Sequence, residues 1–113
     1  MTWTVDPSKI ITAEAKAAAA AAATLRAFED AIQAHVDATA RERTFRDGVT
    51  LASYVASTNP QWADEARAFV TWRDGVWAYA YGELAKVQGG LRQQPTVEDF
   101  LTELPAIVWP EEV

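Results

Sequence analysis

Cysteine is absent from this 113-residue chain. That excludes a disulfide framework and thiolate chemistry, and it fits a reducing compartment. Histidine occurs once, at His35, so the i, i+4 histidine pair of a helical metal site is excluded. There are five glycines, but none builds a phosphate cradle, because Gly89-Gly90 reads as a helix stop. No serine lies in a nucleophile elbow; Ser53 and Ser57 read as helix and cap residues. Basic residues are outnumbered, ten Lys and Arg against sixteen Asp and Glu, for a formal net charge of −6. A nucleic-acid binder presents a basic face, so this balance argues against one. The longest small-residue run, Ala17 to Ala23, is too short and too weakly hydrophobic to span a bilayer. The opening MTWTVDPSK lacks a basic end followed by an apolar run, so no signal peptide is read. The chain therefore reads as soluble, with neither nucleic acid nor membrane among its partners.

Apolar residues make up half the chain. Alanine supplies many of them and buries little area, so the aromatics must carry much of the burial. The length suits one domain, 1–113, with a modest core. Asp6-Pro7 reads as a helix start, with Thr12 as a second cap. A long Ala-rich helix is expected over 6–45, free of internal Gly and Pro after Pro7. Leu25, Phe28, Ile32, Val36 and Thr39 draw one apolar stripe along it. The Ala run itself has no stripe and offers only a narrow, smooth surface.

Asp47-Gly48 breaks the pattern and caps a short helix over 49–57, with Leu51, Tyr54 and Val55 facing inward. Asn59-Pro60 starts a third helix over 60–88, and Asp64 and Glu65 are placed in its first turn, where the helix dipole favours them. Gly89-Gly90 ends it. Thr96 caps a last short helix over 96–104, with Asp99 three residues on, and Pro105 stops it. Trp109 and Ile107 are expected to tuck back onto the helices.

The third helix concentrates aromatic mass. Between Trp62 and Val87 it holds Trp62, Trp72 and Trp77, and two of the three tyrosines. On a helical wheel, Trp62, Phe69, Val76, Ala80, Leu84 and Val87 share one direction. Trp72 and Tyr79 flank them on one side; Val70, Trp77 and Tyr81 on the other. The apolar arc exceeds half the circumference. Such a helix is either central or touches two neighbours, one of them a candidate second subunit. Glu65, Arg73 and Glu83 intrude on the arc. Arg73 either packs its stem and sends its head to solvent, or pairs with Glu65, Asp74 or another carboxylate, or stacks on a Trp face.

His35 with scattered carboxylates reads as a solvated or capping histidine. Arg41, Arg43 and Arg46 form the single basic cluster; Glu42 and Asp47 dilute it into a solvated helix end. No catalytic residue, metal ligand or cofactor site is read from these residues.

One order of phrases is specific. A helix ending AIQAHVDATARER is followed by TFRDGVTLASYVAS, then NPQWADEARAFVTWRDGVWAYAYGELAKVQGG, then PTVEDFLTELPAIVWP. This order resembles a group of small proteins encoded in tailed-phage and prophage genomes, often beside tail-fibre genes. The resemblance covers roughly Ala31 to Pro110. Its sharpest pieces are Ala68-Phe69-Val70-Thr71-Trp72-Arg73-Asp74 with Trp77 following, and Pro95-Thr96 leading to Glu103-Leu104-Pro105. It implies a role in virion assembly, as a tail-fibre assembly chaperone or tail accessory protein, without an active site. It places the protein in the host cytoplasm during assembly, with the virion tail as the alternative.

The expected fold is all-α: a small helical bundle with two longer antiparallel helices, two short helices and a C-terminal tail. The expected function is non-enzymatic binding of a phage tail-fibre or other tail protein. Surplus aromatics mark Trp62, Phe69, Trp72, Arg73, Trp77 and Tyr81 as the partner-binding residues. One alternative is a virion component that forms a homo-oligomer through the Ala-rich helix. Another is a phage-encoded inhibitor of a host protein.

Overall fold

The computed structural model describes residues 12–112. Among these the chain is all-α, with four α-helices and no strand: α1 (Ala13–Arg41), α2 (Gly48–Ala52), α3 (Pro60–Gln88) and α4 (Val97–Glu103). Short 3₁₀ turns cover Ser53–Ala56 and Pro110–Glu112. The helix start expected at Asp6-Pro7 lies outside the described residues.

Each α-helix begins at a side-chain oxygen that accepts a free N–H of its first turn. The Thr12 hydroxyl accepts from Ala15 N at 3.0 Å, Asp47 from Thr50 N at 2.8 Å, and Thr96 from Asp99 N at 3.1 Å. Asn59 accepts from both Gln61 N and Trp62 N, with Pro60 next to it at a position needing no donor. Asp64 and Glu65 fall in the second turn of α3, not the first, because Pro60 is already helical. The short expected helix 49–57 divides: α2 closes at Ala52 and the chain tightens to 3₁₀ through Ala56.

Both long helices end in the same motif, in which a left-handed residue lets two N–H groups turn back to the last carbonyls. After α3 that residue is Gly90, φ +74°, with Leu91 N donating to Lys86 O and Gly90 N to Val87 O. After α1 it is Thr44, φ 68°, with Phe45 N donating to Ala40 O and Thr44 N to Arg41 O. The expected end of α1 at residue 45 therefore moves back to Arg41. Nothing in ARERTFRD resembles the usual glycine stop, so the end is invisible to propensity.

The core is one cluster drawn from every helix. Phe28, Ile32, Val36 and Ala40 of α1 meet Phe69, Trp72, Val76, Ala80 and Leu84 of α3; Leu51, Phe100, Leu104 and Trp109 close it. Phe28 meets Phe100 edge-on at 5.5 Å between ring centres, a favoured aromatic geometry. Trp109 is buried and Ile107 packs against the cluster, so the tail lies on the helices. The Trp72 indole N–H donates to Pro105 O at 2.6 Å, which ties the start of that tail to α3.

Gly48 is the tightest junction. Its N–H donates to Asp37 Oδ1 at 2.9 Å. A Cβ there would lie 3.1 Å from the Phe69 ring and from Asp37 Oδ1, and 3.2 Å from Val36. Gly48→Ala should thus overpack three fixed neighbours and destabilise by about 1–3 kcal/mol, read as a lowered urea midpoint. Phe69→Ala should cost more, about 3–5 kcal/mol, because the ring is fully buried.

Candidate functional site

The six expected partner-binding residues separate into core and surface. Phe69 is fully buried and Trp72 is 7% exposed. Both are packed inside the cluster, so neither offers a face to a partner, and for these two the expected placement is corrected. The physical reason is the direction of the buried arc. It runs through Ala66, Phe69, Trp72, Val76 and Ala80, tilted toward the Trp72 flank. On the opposite flank Val70 and Trp77 are half-buried and Tyr81 is exposed.

On that flank Trp77 and Tyr81, one turn apart, stack at 5.5 Å with planes 29° apart, and Trp77 also packs against the core. Tyr81 is 52% exposed and its hydroxyl donates to Glu29 Oε2 of α1 at 3.2 Å. Loss of water around that hydroxyl, followed by the Glu29 carboxylate, pushes the Tyr81 phenol above its ordinary range. Tyr81 is therefore a neutral donor near pH 7.

Trp62 is 46% exposed. Its ring packs edge-on against Tyr54, 5.8 Å between ring centres. Arg73 bonds its neighbour Asp74 through Nε at 3.1 Å and Nη2 at 2.9 Å. Both side chains are partly open to water, so the pair contributes little to stability. Glu65 goes to Arg43 instead.

A second polar cluster, not singled out from the sequence as a group, locks the far end of α3 to α4. Glu103 accepts from the Tyr79 hydroxyl at 2.7 Å and from Arg92. Arg92 also faces Glu83 at 3.4 Å, and Lys86 reaches Glu83 at 2.9 Å. Arg92 first, then the Tyr79 hydroxyl, holds the Glu103 carboxyl below the usual carboxylate range. The same bond to Glu103 pushes the Tyr79 phenol up. The pairing was hidden because these groups meet across a loop and two helices, with no fixed sequence spacing.

His35 lies edge-on to Trp72 at 5.7 Å between ring centres. Among the described residues, no group of three His, Asp or Glu is placed to hold a metal ion, and no helix is long and apolar enough to cross a membrane. Comparison with known proteins yields no family model, curated protein or solved structure that matches the chain.

The Glu103 cluster sets a pH signature. A carboxyl whose folded pKa is depressed stabilises the fold above its unfolded pKa, and that contribution is lost as pH falls through the folded value. Glu103→Gln should therefore lower the urea midpoint most at neutral pH. The gap from the natural protein should narrow steadily as the pH drops below the carboxylate range.

Proposed function

We propose that this protein is a non-enzymatic binding protein of the phage tail region that assists assembly of a tail fibre. The observation that carries the binding reading is the stacked Trp77–Tyr81 pair of α3, in which Tyr81 is exposed and Trp77 is half-buried against the core. Rigid, amphipathic aromatics backed by a packed core are the side chains that most often anchor protein interfaces. The tail-fibre identity comes from the resemblance of the phrases around Phe69–Asp74 and Glu103–Pro105. In support, those two phrases meet in space through the Trp72–Pro105 hydrogen bond. They belong to one packed unit, as a shared module requires. We read the two long helices as antiparallel partners. Glu29 contacts Tyr81 and His35 contacts Trp72, so numbering rises along α1 as it falls along α3.

A self-associating virion component is the second reading, and one observation favours it. Residues 13–23 of α1 are all exposed, about three turns of Ala-rich helix. A smooth alanine surface lets a second helix approach closely.

The test is light scattering on a sizing column, with the protein alone and co-expressed with the fibre protein encoded beside it. A stable complex is expected. Trp77→Ala with Tyr81→Ala should weaken it by about 2 kcal/mol or more while helicity by circular dichroism is kept. Mass spectrometry of purified particles should then lack the protein. Its presence there, together with a homo-oligomer on the column, would favour the second reading. A monomer that forms no complex would overturn the assembly role.

A further inference from the structure

We infer that the cavity beside Trp62 is a binding site for a basic side chain, arginine or lysine, on a partner polypeptide. It does not rest on the tail-fibre reading, and it uses a different face from Trp77 and Tyr81.

The cavity is about 390 Å³ and is walled by Phe45, Tyr54 and Trp62. The three rings meet in sequence at steep angles. Phe45 and Tyr54 are 5.2 Å apart at 62°, and Tyr54 and Trp62 are 5.8 Å apart at 85°. The rings pack on one another edge to face, and Trp62, 46% exposed, leaves aromatic surface on which an organic cation can be held. The volume exceeds that of a lone ion and lies within the range of pockets that hold extended groups.

Glu65 also lines the cavity, and it is only 5% exposed. Burying a carboxylate without hydrogen-bond donors is costly. Among the described residues none donates a hydrogen bond to it. Its nearest cation, Arg43 Nη1, stays 3.7 Å away. That guanidinium also lines the cavity, but it pairs with Glu111 and lies over the Trp109 ring, 4.4 Å from its centre. One guanidinium thus faces two carboxylates, and the local balance is negative. An anion would meet Glu65 and find Arg43 already engaged. A guanidinium or ammonium would supply the donors that Glu65 lacks and sit between the rings.

The backbone at this wall is strained. Thr44 lines the cavity and holds φ at 68°, a region that a β-branched residue adopts only at a cost. The left-handed turn it makes separates Arg43, which faces Glu111, from Phe45, which joins the ring wall.

The test uses the intact protein labelled with nitrogen-15 and follows the Trp62 indole N–H signal during titration. The probes are an end-blocked Gly-Arg-Gly peptide, an end-blocked Gly-Lys-Gly peptide, methylguanidinium, and the neutral Gly-norleucine-Gly peptide. Saturable shifts with a basic peptide, absent with norleucine and weakened by added salt, are expected. Glu65→Gln should weaken the basic peptide at least tenfold. If that variant fails to fold, Trp62→Ala, which alters a half-exposed ring and is followed through the side-chain amide signal of Gln61 in the same lining, should produce the same loss. No saturable shift with either basic peptide would overturn the inference, as would equal shifts with norleucine or unchanged affinity in a folded Glu65→Gln. Binding of methylguanidinium with no binding of the peptides would also overturn it, in favour of a free small cation.

Discussion

The missing side chain at Gly48 is the point on which the three-helix junction depends. With no Cβ, the first turn of α2 comes within contact of Val36 on α1 and Phe69 on α3 at once. The same residue donates its N–H to Asp37, so the close approach leaves no buried donor unsatisfied. Leu51 of α2 can then reach full burial, and the chain can turn through the 3₁₀ segment to deliver Tyr54 beside Trp62. A Cβ here would crowd Val36, Asp37 and Phe69 by a few tenths of an ångström.

The ends of those helices solve one geometric problem with two different residues. Gly90 takes the left-handed position after α3 at no steric cost. Thr44 takes it after α1 against its own preference. Surrounding contacts must over-determine that conformation, and they are visible: Arg43 is held by Glu111 and Trp109, and Phe45 by Tyr54. The C-terminal segment and the turn after α1 therefore stabilise each other. At the opposite end, Glu103, Tyr79 and Arg92 tie α4 to α3 by charge-assisted bonds. The core between them is aliphatic and aromatic throughout. Its specificity comes from shape, and the polar ties fix what packs against its ends.

Much of the all-α character was legible because it is written in local chemistry. Asn59-Pro60, Thr96 and Gly89-Gly90 are start and stop signals whose physics acts within a few residues. The stripe Leu25, Phe28, Ile32, Val36 and Thr39 is a periodicity of one helix; the last four are buried and Leu25 is partly buried against the core. The candidate site was less legible. A helical wheel gives angles around α3 but not the direction in which neighbours stand. Trp72 and Trp77 flank the same arc, yet one is buried in the core and the other only half-buried against it. Phe69 carried interface potential by residue type alone, and packing removed it. Glu65 read as a first-turn dipole partner, and its role in the cavity beside Trp62 depends on residues up to forty-six positions away.

The sequence by itself determined that this chain is helical, acidic and rich in aromatics on one long helix. Propensity, capping and periodicity are properties of neighbouring residues and need no fold to be expressed. Only the tertiary structure decided which of those aromatics are core, how closely residue 48 approaches Val36 and Phe69, and where α1 stops. It also brought Phe45, Tyr54 and Trp62 around Glu65. Each of these depends on the distance between segments that are remote in the chain, and that distance is set by how the helices pack.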